Sequence, residues 1–181
     1  MRRFIEWILS RFIRDGETAA SPAVRVRVGK LEGWTSIASN IILFLLKGWL
    51  GLMAGSVALV ADAFHTLSDS ATSLIVILGF RMVQKPADKE HPFGHGRVEN
   101  IAAIVIGVLL GVVAVEILKA SFERIRHPSL THVENWVIVV VAVTILIKEL
   151  MARFAFGLAR RIESDALMAD AQHHRSDALS T

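Results

Sequence analysis

Long apolar stretches separated by short polar segments dominate the chain from residue 34 onwards. Four complete stretches lie at 34–53, 57–83, 98–122 and 136–158, and a fifth begins near residue 164. A helix needs about 20 apolar residues to cross a bilayer, and each complete stretch meets that length. The pattern predicts an all-α membrane protein, a transmembrane helical bundle with four complete spans and the start of a fifth.

The first 33 residues follow a different pattern. In residues 2–14 the apolar side chains recur at helical spacing, and the charged residues lie mostly off that stripe. The apolar positions are Phe4, Ile5, Ile8, Leu9, Phe12 and Ile13. Such a segment is typical of an amphipathic helix at a membrane surface, and a helix packed against protein remains the alternative. With residues 15–30 as a polar linker, the chain divides into an N-terminal cytoplasmic segment, 1–33, and a transmembrane domain, 34–181.

Composition supports the membrane class and excludes others. Hydrophobic residues make up 53% of the chain and the mean hydropathy is +0.50, as in membrane proteins. The chain has no cysteine, which excludes disulfides and thiolate metal ligands. The pI is about 9.7, but the basic residues alternate with the spans and form no separate patch. Membrane topology explains them, and no nucleic-acid partner is predicted.

The distribution of lysine and arginine predicts the orientation in the membrane. Seven of these residues precede the first span, and the connections between spans two and three and between spans four and five each carry at least three. The turn between spans one and two has none, and the connection between spans three and four has mainly Arg124 and Arg126. By the positive-inside rule, the N-terminus and the loop at 84–97 lie in the cytoplasm.

One fourteen-residue phrase occurs twice. Residues 56–69 and 164–177 are identical at nine of fourteen positions, at a constant offset of 108. The copies contain the only two His-x-x-x-Asp pairs in the sequence, which are His65 with Asp69 and His173 with Asp177. Residues i and i+4 lie one turn apart on one helix face, so each copy presents an imidazole beside a carboxylate.

The two copies lie in spans of opposite direction, because they are three spans apart. Inverted repeats with polar groups near the bilayer centre recur in secondary transporters. His65 and Asp69 lie roughly 13 and 20 Å along the helix from Ser56, which brackets the middle of a hydrocarbon core about 30 Å thick. His173 and Asp177 have the same depths from the other face. The fold prediction is a bundle with inverted three-helix repeats, in which these four groups can meet.

Two imidazoles and two carboxylates form a four-ligand set suited to a divalent metal. The alternative is two hydrogen-bonded His–Asp pairs that hold helices together, although ionisable groups at this depth are usually functional. Asp62 and Asp170 recur three residues before each histidine and are interpreted as supports rather than ligands. His174 has no counterpart in the first copy and is not predicted to be a ligand. Local pairing or a position near the interface is predicted for Lys47, Glu116, Lys148 and Glu149.

A second cluster of metal-ligand residue types lies in the loop after the second span. Asp88, His91 and His95 have a spacing that could hold a metal, and Gly94 and Gly96 permit a tight fold of the loop. A solvated loop with incidental histidines explains the same spacing, so on this signal alone both interpretations stay open.

Three motifs in order resemble the cation diffusion facilitator family, whose members are metal-ion/proton antiporters. They are Ala61-Asp-Ala-x-His-x-x-x-Asp69, Pro86-x-Asp88-x-x-His91-Pro-Phe-Gly-His95-Gly-Arg-x-Glu99, and the second His173-x-x-x-Asp177. The resemblance runs from about Ser36 to the end of the chain. It implies that the paired residues of the two phrases form the intramembrane transport site, and that Asp88, His91 and His95 form a secondary loop site.

The resemblance also implies a function. It implies a secondary active transporter of the inner membrane that exports divalent cations from the cytoplasm in exchange for protons and acts as a homodimer without a resident cofactor. Family members have six spans and a cytoplasmic metal-binding domain after them, so the chain is expected to be truncated in the fifth span. A membrane metal-binding fragment without transport activity is the alternative for these 181 residues.

The ligand types indicate the transported metal. Two His and two Asp fit tetrahedral zinc best, cobalt(II) and cadmium could use the same ligands, and iron(II) or manganese would be better served by more oxygens. Carboxylate and imidazole both lose metal affinity on protonation, which suits exchange of metal for protons. A metalloenzyme would use a motif such as His-Glu-x-x-His, which the sequence lacks, so no enzymatic activity is predicted.

Overall fold

The computed structural model describes residues 2–12, 18, 21–126 and 135–180. Within these ranges the chain forms helices and no strand. The helices are α1 (Arg2–Phe12), α2 (Pro22–Met53), α3 (Val57–Val83), α4 (Val98–Arg126), α5 (Asn135–Ile162) and α6 (Asp165–Ser180). The all-α fold class predicted from the hydropathy pattern is thereby confirmed.

Three of the described helices are long and apolar enough to cross a membrane, over Pro22–Met53, Leu59–Val83 and Val98–Glu123. Helix α5 has 28 residues, but its apolar run is interrupted by Lys148, Glu149 and Arg153. Large apolar side chains cover the outside of the bundle. Trp34, Ile42, Leu52, Ile104 and Val108 are all more than half exposed. Such a surface suits contact with lipid acyl chains.

The N-terminal segment differs from the prediction in one respect. The predicted amphipathic helix is present as α1, whereas Ile13 and Arg14 lie outside the described residues. The predicted linker 15–30 is wrong from residue 22 onwards, because α2 begins at Pro22 with Ser21 as its N-cap. The valines at 24, 26 and 28 are buried and alternate with arginines, so this stretch has no helical stripe in the sequence. Its period of two residues concealed the first turns of α2.

Helix α1 packs against protein on one side. Ile5 is buried in an apolar cluster with Leu158, and Glu6 accepts a 2.9 Å hydrogen bond from Arg161 of α5. Trp7 on the same helix is 57% exposed. The helix is therefore amphipathic as the sequence indicates, and its buried face contacts α5.

Helices α2 and α3 form a tight hairpin. A side-chain Cβ at Gly29 would collide with the ring of Phe80, and one at Gly33 would lie 2.5 Å from Cγ1 of Ile77. At the closed end, a Cβ at Gly51 would lie 2.8 Å from Cγ2 of Val60. These glycines allow the two backbones to approach closely, as small residues do in membrane helix pairs.

Both copies of the repeated phrase begin in the same way. Ser56 accepts a hydrogen bond from the backbone N–H of Leu59 at 3.3 Å, and Ser164 accepts one from Leu167 at 3.2 Å. The residue before each serine has a positive φ, 60° at Gly55 and 51° at Glu163. A left-handed residue ends one helix and a serine cap starts the next. Each copy of the repeated phrase therefore starts at the serine N-cap of its helix.

Candidate metal centre

Helices α3 and α6, which carry the two phrases, run antiparallel. Ser73 lies 3.5 Å from Asp170, Asp69 lies 3.7 Å from His173, and a ligand atom of His65 lies within 4.8 Å of one on Asp177. Residue numbers thus fall along α6 as they rise along α3. This is the arrangement expected of an inverted repeat, and it brings the two His-x-x-x-Asp pairs to one level of the bundle.

The paired residues form what is here called the central cluster: His65, Asp69, His173 and Asp177. One ligand atom from each of His65, Asp69 and Asp177 lies within 4.8 Å of the other two. Both carboxylates are buried, whereas the side chain of His65 is 49% exposed. The cluster is therefore an acidic interior site with one accessible imidazole at its edge.

His173 lies between the two carboxylates of this cluster. Its Nε2 is 3.7 Å from Oδ1 of Asp69 and 3.6 Å from Oδ2 of Asp177. Neither ring nitrogen has a hydrogen-bond partner among the described residues, although the side chain is almost fully buried. A buried imidazole whose nitrogens make no hydrogen bond is costly unless another group, such as a cation, completes their coordination. The imidazole nitrogens and carboxylate oxygens of the cluster are donor types that bind a small divalent cation such as Zn²⁺.

Lys148 of α5 also lies in the central cluster, which corrects the sequence-based interpretation. Its Nζ is 2.5 Å from Oδ2 of Asp69 and 2.8 Å from Oδ2 of Asp177, and its side chain is only 2% exposed. The sequence predicts local pairing or a position near the interface for this lysine. Helix α5 instead directs it inward. There its ammonium group offsets the repulsion between the two buried carboxylates.

The other charged residues singled out in the sequence lie in four different environments. Lys47 is buried and lies 2.7 Å from Asp62, so this pair joins α2 to α3 outside the central cluster. Glu149 pairs locally with Arg153 at 2.6 Å, as expected, and Glu116 is exposed on α4. Asp170 lies 3.4 Å from Nε2 of His174, the residue after His173, and belongs to a separate group.

That separate group was missed by sequence reasoning. Glu32, Asp170 and His174 each offer a ligand atom within 4.8 Å of the other two, and all three are fully buried. We call these residues the buried acidic cluster. His174 has no counterpart in the first copy, and Glu32 lies in the stretch predicted to be the N-terminal segment, so the sequence predicts neither as a ligand. A glutamate inside a long helix was the available signal, once residues 22–53 are recognised as one helix.

The loop residues also come together. Nδ1 of His91 is 3.4 Å from Oδ1 of Asp88, and Nε2 of His95 is 3.6 Å from Oδ2 of the same carboxylate. The two imidazole rings lie 4.5 Å apart between centroids. These three residues, the loop cluster, offer one ligand atom each within 4.8 Å of one another. The spacing in the sequence thus folds into a compact group.

Asp88 organises this loop through the backbone. Its Oδ1 accepts hydrogen bonds from the backbone N–H groups of His91 at 2.7 Å and Glu90 at 3.0 Å. The hydrogen bond from His91 is the main reason that the pKa of Asp88 is held below its ordinary value, and the nearby imidazoles add to the effect. The exposed carboxylate therefore stays ionised at neutral pH and can accept a cation.

Several known proteins are similar to this chain in sequence. The chain matches the model of the cation efflux transmembrane domain over residues 33–181. It is 41% identical to an uncharacterized transporter of Methanocaldococcus jannaschii over 81% of this chain and 52% of that protein. The magnetosome protein MamB of Paramagnetospirillum magneticum is 34% identical over 82% of this chain and 50% of its own length. The manganese efflux system protein MneS of Bacillus subtilis is 32% identical over 85% and 53%.

Membrane-length helices around a buried group of histidines and carboxylates are typical of multi-pass proteins that carry cations. The chain belongs to the cation efflux family, the cation diffusion facilitators. This confirms the family that the three sequence motifs indicated, which is a family of transporters rather than enzymes. The chain spans about half the length of the curated relatives it matches.

Proposed function

We propose that this chain forms the transmembrane part of an exporter that moves a divalent metal cation out of the cytoplasm in exchange for protons. The observation that carries the proposal is the central cluster. Two carboxylates and two imidazoles from antiparallel helices converge in the interior, and one imidazole remains accessible at the edge. A site of this kind binds metal when deprotonated and releases it when protonated.

Exchange follows from competition at the same atoms. Protons and the metal both bind the carboxylate oxygens and the imidazole nitrogens, so occupancy by one excludes the other. Lys148 adds a third competitor, because its ammonium group bridges Asp69 and Asp177. Rocking of α3 and α6 against the other helices would supply alternating access in an inverted repeat. The proposed orientation has the N-terminus and the loop cluster on the cytoplasmic side of an inner membrane.

Zinc is the proposed substrate, because two imidazoles and two carboxylates match its tetrahedral preference. Manganese is the second candidate, since the relative MneS is named a manganese efflux protein and MneP of the same organism, named likewise, is 28% identical. Cobalt(II), cadmium and iron(II) are further candidates on ligand chemistry alone. The loop cluster is proposed as a secondary metal site, and a homodimer is proposed for the full-length protein.

The test is metal flux into proteoliposomes that contain the purified protein. Vesicles carry a zinc-sensitive or manganese-quenched dye together with a pH-sensitive dye. We expect metal uptake coupled to proton movement in the opposite direction. His65→Ala and Asp177→Asn should each reduce the rate by about tenfold or more, because each removes a ligand of the central cluster.

Glu116→Gln is the matched control for these variants. It removes an exposed carboxylate of α4 and should leave the flux unchanged. Transport that survives both His65→Ala and Asp177→Asn would contradict the assignment of the central cluster. Metal binding without flux would identify the chain as a binding fragment, and hydrolysis of a peptide or ester without flux would favour a metalloenzyme instead.

A further inference from the structure

The buried acidic cluster differs from every other group of buried charges in the described part of the bundle. Of the five buried carboxylates there, Asp69 and Asp177 share Lys148 and Glu99 pairs with Arg25. The remaining two, Glu32 and Asp170, form no ion pair with a lysine or arginine among the described residues. Two carboxylates therefore lie together in the interior with only an imidazole and hydroxyl groups beside them.

The atoms of this cluster are incompletely satisfied. Oε2 of Glu32, Oδ1 of Asp170 and Nδ1 of His174 are buried without a hydrogen-bond partner within the described ranges. All three side chains are fully buried. The other oxygen of each carboxylate has a polar neighbour, because Ser36 donates to Oε1 of Glu32 and Nε2 of His174 lies 3.4 Å from Oδ2 of Asp170. Two buried carboxylates side by side are nevertheless unfavourable when one oxygen of each is left without a partner. A cation bound between the two carboxylates would offset this cost.

The donor geometry suits a metal cation. One ligand atom from each of Glu32, Asp170 and His174 lies within 4.8 Å of the other two. Ser36 adds a hydroxyl oxygen that is 2.8 Å from Oε1 of Glu32 and 2.9 Å from Nε2 of His174. Donors that surround one first-row cation at metal–ligand distances of about 2.0–2.2 Å are separated by such distances. Helices α2 and α6 thus supply three side-chain oxygen donors and one nitrogen.

We propose that Glu32, Asp170, His174 and Ser36 form a second intramembrane site that binds a divalent cation of the harder class, with Mn²⁺ as its best match. Oxygen-rich donor sets favour Mn²⁺ over Zn²⁺, whereas the central cluster has a larger share of nitrogen. The inference goes beyond the proposed transport activity, because it concerns binding at different residues. It holds whether or not the chain transports metal.

The position of this site relates it to the central cluster. Asp170 precedes Asp177 by seven residues on α6, which is roughly 10 Å of helix rise. The consecutive residues His173 and His174 divide between the two groups, with ring centroids 6.1 Å apart. An apolar layer that includes Val28, Phe80 and Leu167 lies toward the start of α6. The second site thus lies between that layer and the central cluster.

The test measures Mn²⁺ binding to the purified chain in detergent, by loss of the free-ion electron paramagnetic resonance signal. The background carries Asp69→Asn and His91→Ala, which disable the central and loop clusters. In Asp69→Asn, Lys148 still neutralises Asp177, so the central cluster has no charge left for a cation. We expect this background to bind one Mn²⁺ per chain, and Glu32→Gln within it to weaken binding by about tenfold or more.

Glu116→Gln in the same background is the matched control and should bind Mn²⁺ unchanged. His174→Gln provides a second variant on a different helix and should weaken binding as Glu32→Gln does. Absence of bound Mn²⁺ in the background protein would overturn the proposal without reference to any further variant. Binding that persists unchanged in both Glu32→Gln and His174→Gln would overturn it as well. Neither result bears on flux through the central cluster, so the two proposals fail separately.

Discussion

Lys148 places an ammonium group inside the central cluster. Its ammonium group contacts the same two carboxylates that are proposed to bind the metal. A divalent cation and this ammonium group cannot occupy the space between Asp69 and Asp177 together. Metal binding therefore requires that the lysine side chain leaves or loses its proton.

We expect Lys148→Gln to increase the metal affinity of the central cluster by about tenfold or more, because one competitor is removed. The same variant should be less stable without metal by about 3–5 kcal/mol, since two buried carboxylates lose their counter-ion. Calorimetric titration with Zn²⁺ and thermal unfolding in detergent measure the two effects.

Lys47→Gln is the control for that experiment. Lys47 is equally buried but contacts Asp62, which is partly exposed, and not the central carboxylates. It should leave the Zn²⁺ affinity unchanged. An affinity that falls in Lys148→Gln would show that the lysine supports the metal site and does not compete with it.

Asp88 makes the loop sensitive to acid in a predictable direction. Its pKa is lowered in the folded protein, chiefly by the hydrogen bond from the backbone of His91. The stabilisation is complete above the ordinary aspartate pKa, near 4, and is lost as the pH falls through the lowered value. Amide protection factors at Glu90 and His91, measured by hydrogen exchange, should stay constant from pH 7 to about 4 and fall below that.

Asp88→Asn separates charge from geometry in this loop. The amide oxygen of asparagine can still accept the two backbone hydrogen bonds but does not titrate in this range. Protection in the variant should be flat across the acid range. Protection in the native loop that is already lost between pH 7 and 5 would contradict the role assigned to the Asp88 carboxylate.

Single residues show what the sequence could and could not predict about the sites. The two His-x-x-x-Asp pairs were visible because both members lie on one helix, where spacing determines the face. The loop residues were visible for the same reason of local spacing. Lys148 and Glu32 were not, because each meets its partners through contacts between distant helices. Neither has a sequence neighbour that indicates where its side chain points.

At the scale of helices, α2 shows why the predicted boundaries failed. Its first turns alternate valine with arginine, so the apolar side chains do not recur at helical spacing. The valines are buried nonetheless, because α2 is covered there by the apolar cluster that includes Ile5, Phe80 and Leu158. Burial around more of the helix circumference cannot be recognised from a pattern that assumes one apolar face.

The pairing of α2 with α3 depends on glycine at 33. A Cβ there would lie 2.5 Å from Cγ1 of Ile77 and 3.1 Å from the backbone oxygen of Ser73. We expect Gly33→Ala to lower the free energy of unfolding by about 1–3 kcal/mol, because the helices must separate. Thermal unfolding in detergent measures the change.

Gly107→Ala is the matched control on α4. A Cβ at this position meets no atom within 4 Å, and alanine has the higher helix propensity. The variant should be as stable as the native protein or slightly more so. Equal stability of Gly33→Ala and Gly107→Ala would show that α2 and α3 are not closely packed in the membrane.

At the scale of the whole molecule, the proposed orientation places the α2–α3 turn and the loop cluster on opposite sides of the bilayer. The chain has no cysteine, so a single introduced thiol reports its own location. With a membrane-impermeant maleimide, Ala54→Cys should react in intact spheroplasts. Lys89→Cys should react only after the membrane is permeabilised. The reverse result would contradict the cytoplasmic N-terminus.

The overall architecture was the most predictable part of the molecule. Membrane helices must satisfy their backbone internally, so hydropathy alone identifies the apolar stretches. The uneven distribution of lysine and arginine then predicts that the two helices with the repeated phrase run antiparallel. The contacts of Asp69 with His173 and of Ser73 with Asp170 confirm this direction. Which helix supplies the counter-ion of the central cluster depends on packing across the bundle, which no local pattern encodes.

The two serine caps restrict insertions and deletions in the helices that follow them. Ser56 precedes His65 by nine residues, and Ser164 precedes His173 by nine. Because each serine caps the start of its helix, this spacing determines the depth and the helix face of the histidine. One residue inserted between the serine cap and the histidine would rotate the imidazole by about 100° around the helix axis and move it by about 1.5 Å along that axis. Substitutions within these segments can be absorbed by repacking. Insertions or deletions cannot be absorbed in this way, because both histidines must reach the central cluster.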